Sequence, residues 1–278
     1  HIHSNKSDGS LSPTELVRYA ASKKLAAIAL SDHDTMTGVK EAIKVAESEN
    51  IRLIPAVELG AVYNHKEVHL LGYLFDNYED KCKDIDKVLQ GFIDKRRERN
   101  LEIIKRLSKD NINVDFEELE KESKGSSLTR IHIAKTLIKQ NYADSIKSAF
   151  EKYLNDDSKY VPEKSILVQD AMSFFRRFNF YSSLAHPCRY NLSANDLEKL
   201  TSDLTTMGLH ALEVYHSSQQ PHDSAMLQKL AKKYKLGITG GSDFHGSHKP
   251  GIDIAVGYGD LRIPLSVLSD MERDFLTK

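Results

Sequence analysis

The sequence predicts an α/β protein built on a parallel sheet, open or closed into a barrel, with a small helical domain inserted between two strands. Three features of the 278 residues point there. Short apolar runs alternate with amphipathic helical stretches in the first and last parts of the chain. The middle carries helical periodicity and no convincing strand. Nearly every apolar run ends at, or is flanked by, a histidine or a carboxylate.

A first strand is expected to run into His1-Ile2-His3. Side chains at i and i+2 share a face of an extended segment, so His1 and His3 present two imidazoles together, with Asp8 arriving over the next loop. The sequence begins on His1 without a Met, and the chain is expected to extend a few residues upstream to complete that strand. Ser12-Pro13-Thr14-Glu15 is a capping box with proline at the first helical position. Leu16, Val17, Ala20 and Ala21 then form the helix's apolar face. Leu25 to Leu30 reads as a buried parallel strand ending at Ser31-Asp32-His33-Asp34.

Gly38 to Asn50 is helical again, and Ile51 to Glu58 is a strand with Glu58 at its end, although Pro55 weakens continuous pairing. Glu67 to Leu74 is the next strand, with His69 inside it. From about Asp80 to Lys164 the pattern is helical, including Phe116–Lys121, Thr129–Gln140 and Ile146–Leu154. This predicts a cap domain, residues 81–164, inserted in a barrel domain made of 1–80 and 165–278. Strands then run into His186, His216 and the Asp243/His245 pair, with helices at Leu192–Met207, Ser224–Lys235 and the C-terminal tail. Seven strands are expected in all.

A formal net charge of −1 leaves no overall footprint for duplex nucleic acid or an acidic membrane. Cys82 and Cys188 lie far apart without C-x-x-C spacing, which argues against a disulfide framework and a thiolate zinc site and is compatible with a cytoplasmic protein. No signal peptide is recognisable, and no apolar run is long enough to span a bilayer.

In parallel α/β architectures active sites lie at the carboxyl ends of strands. Taken singly, these residues have ordinary roles available: His33 could cap a helix, His69 could be a core histidine, and His186-Pro187 could be a turn. Their joint placement at strand ends points to metal ligation. Imidazoles and carboxylates without thiolates suit zinc, manganese or iron and do not choose among them.

His1-Ile2-His3-Ser4 with Asp8-Gly9, Ser31-Asp32-His33-Asp34-Thr35, Pro55-Ala56-Val57-Glu58, Ala185-His186-Pro187 and Gly241-Ser242-Asp243-Phe244-His245-Gly246 together resemble the polymerase and histidinol phosphatase (PHP) superfamily. Leu128 to Ala134 and Tyr153-Leu154 to Tyr160-Val161-Pro162 resemble its branch of nucleoside bisphosphate and nucleotide phosphatases and 5′-to-3′ exoribonucleases, with Ile131 where proline is expected. The resemblance implies a distorted (β/α)₇ barrel of PHP type with two to three divalent ions. His1, His3, Glu58 and Asp243 would hold the first ion. Glu58 would bridge to a second completed by His69 and His186, and Asp8, His33 and His245 would hold the third.

Three such ions bring about +6 against about −3 from Asp8, Glu58 and Asp243, a surplus that suits a bridging hydroxide and a phosphate monoester dianion. The function expected is hydrolysis of phosphate monoesters of small nucleotides, by in-line attack of a metal-bridging hydroxide, with Glu58 and Asp243 as catalytic ligands. The alternatives are 5′-to-3′ trimming of short oligoribonucleotides, a histidinol-phosphate type of activity, or a catalytically silent phosphate-binding module. Arg130 and His132 are expected to reach from the insert over the barrel mouth to a substrate phosphate. His216 is expected to hydrogen-bond substrate or protonate the leaving oxygen. Asp32 and Asp34 are expected to orient imidazoles, and Arg96-Arg97 to lie on a solvated helix face.

Overall fold

Period-two alternation builds the wall of the fold. In the computed structural model, which describes residues 1–123, 128, 130–155, 157–162 and 166–277, the strands are β1 (Ala27–Leu30), β2 (Arg52–Tyr63), β3 (Lys66–Tyr73), β4 (Tyr181–Leu184), β5 (Ala211–His216) and β6 (Gly237–Gly241). They lie side by side in that order. One face carries Val57, Leu59, Leu70, Leu184, Leu212 and Val214 into the helical layer. The other is apolar at one end, through Ile54, Ala56, Leu71, Tyr73, Tyr181 and Ala211. Continuing the same alternation places Glu58, His69 and Glu213 at its other end.

Two features depart from the expected all-parallel sheet. β1–β2, β4–β5 and β5–β6 pair in parallel, but β3 runs antiparallel to both of its neighbours. The cause is a tight turn at Asn64 and His65, whose φ values of 44° and 67° give the left-handed backbone that a two-residue hairpin requires. β2 therefore runs through Glu58 to Tyr63, which pairs with Lys66, and Glu58 lies within its strand instead of at its end.

The expected seventh strand is reduced to a bridge. Ile2 pairs with Leu30 on one side and Phe244 on the other, linking the β1 and β6 ends of the sheet. Ser31 N–H donates to the Ile2 carbonyl (3.0 Å), His3 N–H to that of Phe244 (2.9 Å) and Asp243 N–H to that of His1 (2.9 Å).

The helices are α1 (Pro13–Ser22), α2 (Val39–Ser48), α3 (Tyr78–Ser108), α4 (Phe116–Ser123), α5 (Arg130–Lys139), α6 (Ile146–Ala149), α7 (Val168–Phe178), α8 (Ala194–Thr206), α9 (Pro221–Tyr234) and α10 (Ser266–Leu276). The capping box forms at α1: Ser12 N–H donates to Glu15 Oε2 (2.8 Å) and Glu15 N–H to Ser12 Oγ (3.2 Å). α10 brings Met271 against the apolar end of the inner face. α3 is one continuous helix serving two cores. Tyr78, Cys82, Ile85, Leu89 and Phe92 pack with the sheet's helical layer. Ile103 and Leu107 pack with Leu119, Ile133, Leu137 and Leu154 in a separate cluster. The 80/81 boundary thus falls inside α3, while the 164/165 boundary and Thr129 lie outside the described residues. No helix among the described residues is long and apolar enough to cross a membrane.

Closure at the N-terminus depends on a missing side chain. A Cβ on Gly241 would lie 2.1 Å from His1 Cβ. Gly241→Ala should therefore destabilise the fold by about 1–3 kcal/mol, as overpacking does. Denaturant unfolding measures it, and a variant as stable as the parent would contradict this account of the closure.

Candidate metal centre

Five imidazoles converge on one buried carboxylate. Glu58 Oε2 lies 3.3 Å from His1 Nε2, 3.2 Å from His3 Nε2 and 3.2 Å from His33 Nδ1. Its Oε1 lies 2.8 Å from His69 Nδ1 and 3.1 Å from His186 Nε2. Around them, Asp243 Oδ1 stands 3.6 Å from His1 Nε2, 3.5 Å from His3 Nε2 and 3.4 Å from His245 Nδ1. Asp8 meets His245 Nε2 at 3.1 Å, His3 Nδ1 at 3.7 Å and His33 Nε2 at 3.8 Å. Every residue expected as a metal ligand stands in this cluster.

The donor set fits divalent ions. Among the described residues, His1 Nε2, both nitrogens of His3, and His245 Nε2 are buried without a hydrogen-bond partner, an unfavourable state that a coordinated ion would relieve. Ligand atoms of His3, Asp8, His33 and His245 lie within 4.8 Å of one another, as do those of His1, His3 and Asp243, of His1, Glu58 and His186, and of His33, Glu58 and His69.

Tautomers follow from the outer contacts. His1 Nδ1 bonds Glu213 Oε1 (2.9 Å), which leaves Nε2 facing Glu58 and Asp243. His245 Nδ1–H donates to the Asp243 carbonyl (2.9 Å), leaving its Nε2 toward Asp8. His216 is arranged in the opposite sense. Its Nδ1 accepts the Ser218 N–H (3.0 Å), so in the neutral ring the proton is on Nε2, 3.5 Å from Asp243 Oδ2.

Without an ion, protons balance the carboxylates. Burial opposes the charged form of His3 and His69, yet the carboxylates prevail: Asp243 and Glu58 push His3 up to about 9, and Glu58 with Glu67 does the same to His69. His1 is raised likewise, against burial, by Glu213, Glu58 and Asp243. Burial drives His33 and His186 down to about 3 and lowers His245. Burial also opposes ionisation of Asp8, Glu58 and Asp243, but the imidazoles around them, and Lys249 beside Asp243, hold all three below the usual carboxylate range.

Several functional contacts escaped the sequence reading. Glu213 also accepts the His186 N–H (2.7 Å), so one carboxylate positions two imidazole-bearing segments. It sits on β5 at i+2 from Ala211, and that inward phase was the one signal that could have found it. Neither Asp32 nor Asp34 hydrogen-bonds an imidazole among the described residues. Asp32 instead accepts Ser4 N–H (2.7 Å), Ser4 Oγ (2.6 Å) and Ser7 Oγ (2.6 Å), holding the 1–8 loop. Asp34 is buried in an ion pair with Arg96. Arg96 is therefore not on a solvated face, whereas Arg97 is exposed beside Glu120.

A cavity of about 430 Å³ opens on the cluster. Asp8, His33, Glu58, His69, His186, Asp243 and His245 line it together with Arg96, Arg99, Arg130, Arg189 and Lys249. Lys249 Nζ and Arg189 Nη1 reach Asp243 Oδ2 at 2.7 and 3.0 Å. Arg130 lies in the wall, paired with Glu67 and donating to the Leu154 carbonyl (2.7 Å). His132 does not join it there. Two residues along a helix is a rotation of about 200°, and His132 is buried and is not among the lining residues.

Residues 1–174 match the family model described as PHP domain. The chain is 31% identical over 249 residues to the 5′-3′ exoribonuclease Rnm of Escherichia coli, covering 88% of this chain and 84% of that protein. It is 28% identical over 257 residues to the 3′,5′-nucleoside bisphosphate phosphatase of Chromobacterium violaceum, covering 91% and 89%. Among solved structures, an amidohydrolase from Chromobacterium violaceum with sulfate bound and no metal aligns with a TM-score of 0.81 at 26% identity, over 99% of this chain and 95% of that one. A protein described as a metal-dependent phosphoesterase from Bifidobacterium adolescentis aligns with a TM-score of 0.79 at 26% identity, over 99% and 94%.

Metal binding should be coupled to proton release. Ions compete with the protons on His3 and His69, so affinity should rise with pH up to about 9 and fall below it, by about tenfold per pH unit for each imidazole that must deprotonate. Calorimetric titration with Mn²⁺ in buffers of different ionisation enthalpy counts the protons, and uptake without release would contradict this balance. Glu213→Gln should weaken metal affinity about 10- to 100-fold while leaving the ligand set intact; an unchanged affinity would remove Glu213 from the site.

Proposed function

Because this chain belongs to the PHP domain family, we propose that it is a metal-dependent phosphoesterase hydrolysing phosphate monoesters of small nucleotides, either a nucleoside 3′,5′-bisphosphate or an AMP-like monophosphate. The observation that carries this reading is the shared cavity, in which a buried His/Asp/Glu cluster faces arginines from the helical segment. Arginine is suited to bidentate recognition of phosphate. A second reading is 5′-to-3′ trimming of short oligoribonucleotides at the same site. It draws support from the 31% and 32% identity to proteins named 5′-3′ exoribonucleases, against 28% to the bisphosphate phosphatase.

In this proposal His1, His3, Glu58 and Asp243 would hold one ion, Glu58, His69 and His186 a second, and Asp8, His33 and His245 a third. When bound, such ions (manganese, zinc or iron) would offset phosphate charge and lower the pKa of water. The convergence of the candidate ligand atoms supports ion binding at the cluster, although the groups they form share His1, His3, His33 and Glu58 between sites. Glu213 and the Asp243 carbonyl orient His1 and His245. His216 is buried and is not among the cavity's lining residues, so it is assigned no direct contact with substrate; its Nε2–H faces Asp243 Oδ2. Arg130 binds a substrate phosphate, and residues 81–164 act as a cap over the barrel formed by 1–80 and 165–278.

The test is turnover of adenosine 3′,5′-bisphosphate, AMP and a 5′-phosphorylated trinucleotide by Mn²⁺-loaded protein. Phosphate released from either of the first two supports the leading reading, and nucleoside 5′-monophosphate from the third supports the other; inactivity on all three overturns both. Asp243→Asn and His33→Ala should abolish turnover, and wild-type rates in Asp243→Asn would refute its assignment as a ligand. Arg130→Ala should mainly raise KM.

A further inference from the structure

Most of the cavity wall is charged or polar, but Phe150 and Ile131, both from the helical segment, bring apolar surface into it. Phe150 is partly buried against the second apolar cluster, which anchors the ring from behind. It opens a π-helical turn, Phe150–Leu154, whose final carbonyl accepts Arg130 Nη1 at 2.7 Å. The Arg130 guanidinium, also paired with Glu67, lies 5.5 Å from the Phe150 ring centroid. The result is a braced wall in which the guanidinium lies over the aromatic ring, in the same cavity as His33, Glu58 and His69.

We propose that this Phe150–Arg130 wall receives the nucleobase of the substrate, and that Phe150 is the residue distinguishing nucleotides from phosphate esters that lack a base. The inference rests on the nucleotide reading of the site and deepens it. Bases stack on aromatic rings and on arginine planes because every base has a π face, and this requires no hydrogen-bond match. A cavity of about 430 Å³ is in the range of sites for whole small molecules, about 300–1,000 Å³, so a phosphate at the imidazole cluster leaves room for a base. Stacking of this kind discriminates by shape and polarisability, so purines should be preferred to pyrimidines.

The experiment compares kcat/KM for adenosine 3′,5′-bisphosphate with that for its abasic analogue, 1-deoxyribose 3,5-bisphosphate, in metal-loaded wild type, Phe150→Leu and Phe150→Tyr. Wild type should favour the nucleotide, and Phe150→Leu should reduce that preference by about 5- to 150-fold, the range of a lost base–aromatic stack. Phe150→Tyr, which keeps the ring, should retain it. A general loss of fold lowers both rates and leaves their ratio unchanged, so the ratio reads stacking alone. Calorimetry with AMP, the nucleotide left when one phosphate is released, should show the same order among the three proteins. A wild-type ratio in Phe150→Leu, or a wild-type enzyme indifferent to the base, overturns the proposal while leaving the phosphatase reading standing. Failure of wild type on both substrates would overturn this proposal and remove the bisphosphate as a substrate, with AMP turnover then deciding the phosphatase reading.

Discussion

The structure depends on placing the Glu58 carboxylate, fully enclosed, within reach of five imidazoles. A buried carboxylate is costly unless compensated, and here the compensation comes from four separate parts of the chain. His1 and His3 arrive on the bridging segment, His33 follows β1, His69 belongs to β3, and His186 follows β4. Each must be delivered to the same end of the sheet. The hairpin at Asn64-His65 does this for His69 by turning β3 back along β2, in register with Gly60 opposite His69.

The helical segment is tied to that cluster by charge as well as by packing. Arg96 of α3 reaches the buried Asp34 after β1, and Arg130 of α5 reaches Glu67, which in turn stands 3.3 Å from His69 Nε2. α3 is long enough to stand in both apolar clusters. The wall of the cavity is thereby positioned relative to the imidazoles by ion pairs with little exposure, whose geometry is more tightly constrained than that of surface pairs. The cavity-lining side chains of the helical segment and the imidazole cluster belong to one connected network.

Much of this was legible along the chain because it is local. The capping box at Ser12 and Glu15, the apolar runs and the histidines at their ends needed only neighbours within a few residues. Other features were hidden for a definite reason. An Asn-His pair is a weaker hairpin signal than Asn-Gly, so the strand expected over Ile51 to Glu58 stops short of the turn that β2 reaches. Arg96 lies in a charged run indistinguishable from a solvated helix face until Asp34, 62 positions earlier, is brought beside it. Glu213 resembles any strand carboxylate until His1, 212 residues away, meets it. Asp32 looked like an imidazole's partner because it is next to His33, yet its bonds go to Ser4 and Ser7.

The sequence by itself determined the residue types and phases: which side chains can face inward, where helices start, and that imidazoles and carboxylates recur at strand ends. Those are consequences of backbone periodicity and side-chain chemistry, which operate over a few residues. Only the tertiary structure decided which carboxylate each imidazole meets, which tautomer it therefore holds, and that Phe150 and Arg130 share a cavity with them. Such pairings depend on distances between segments far apart in the chain, set by the order of strands and by the turn that reverses one of them.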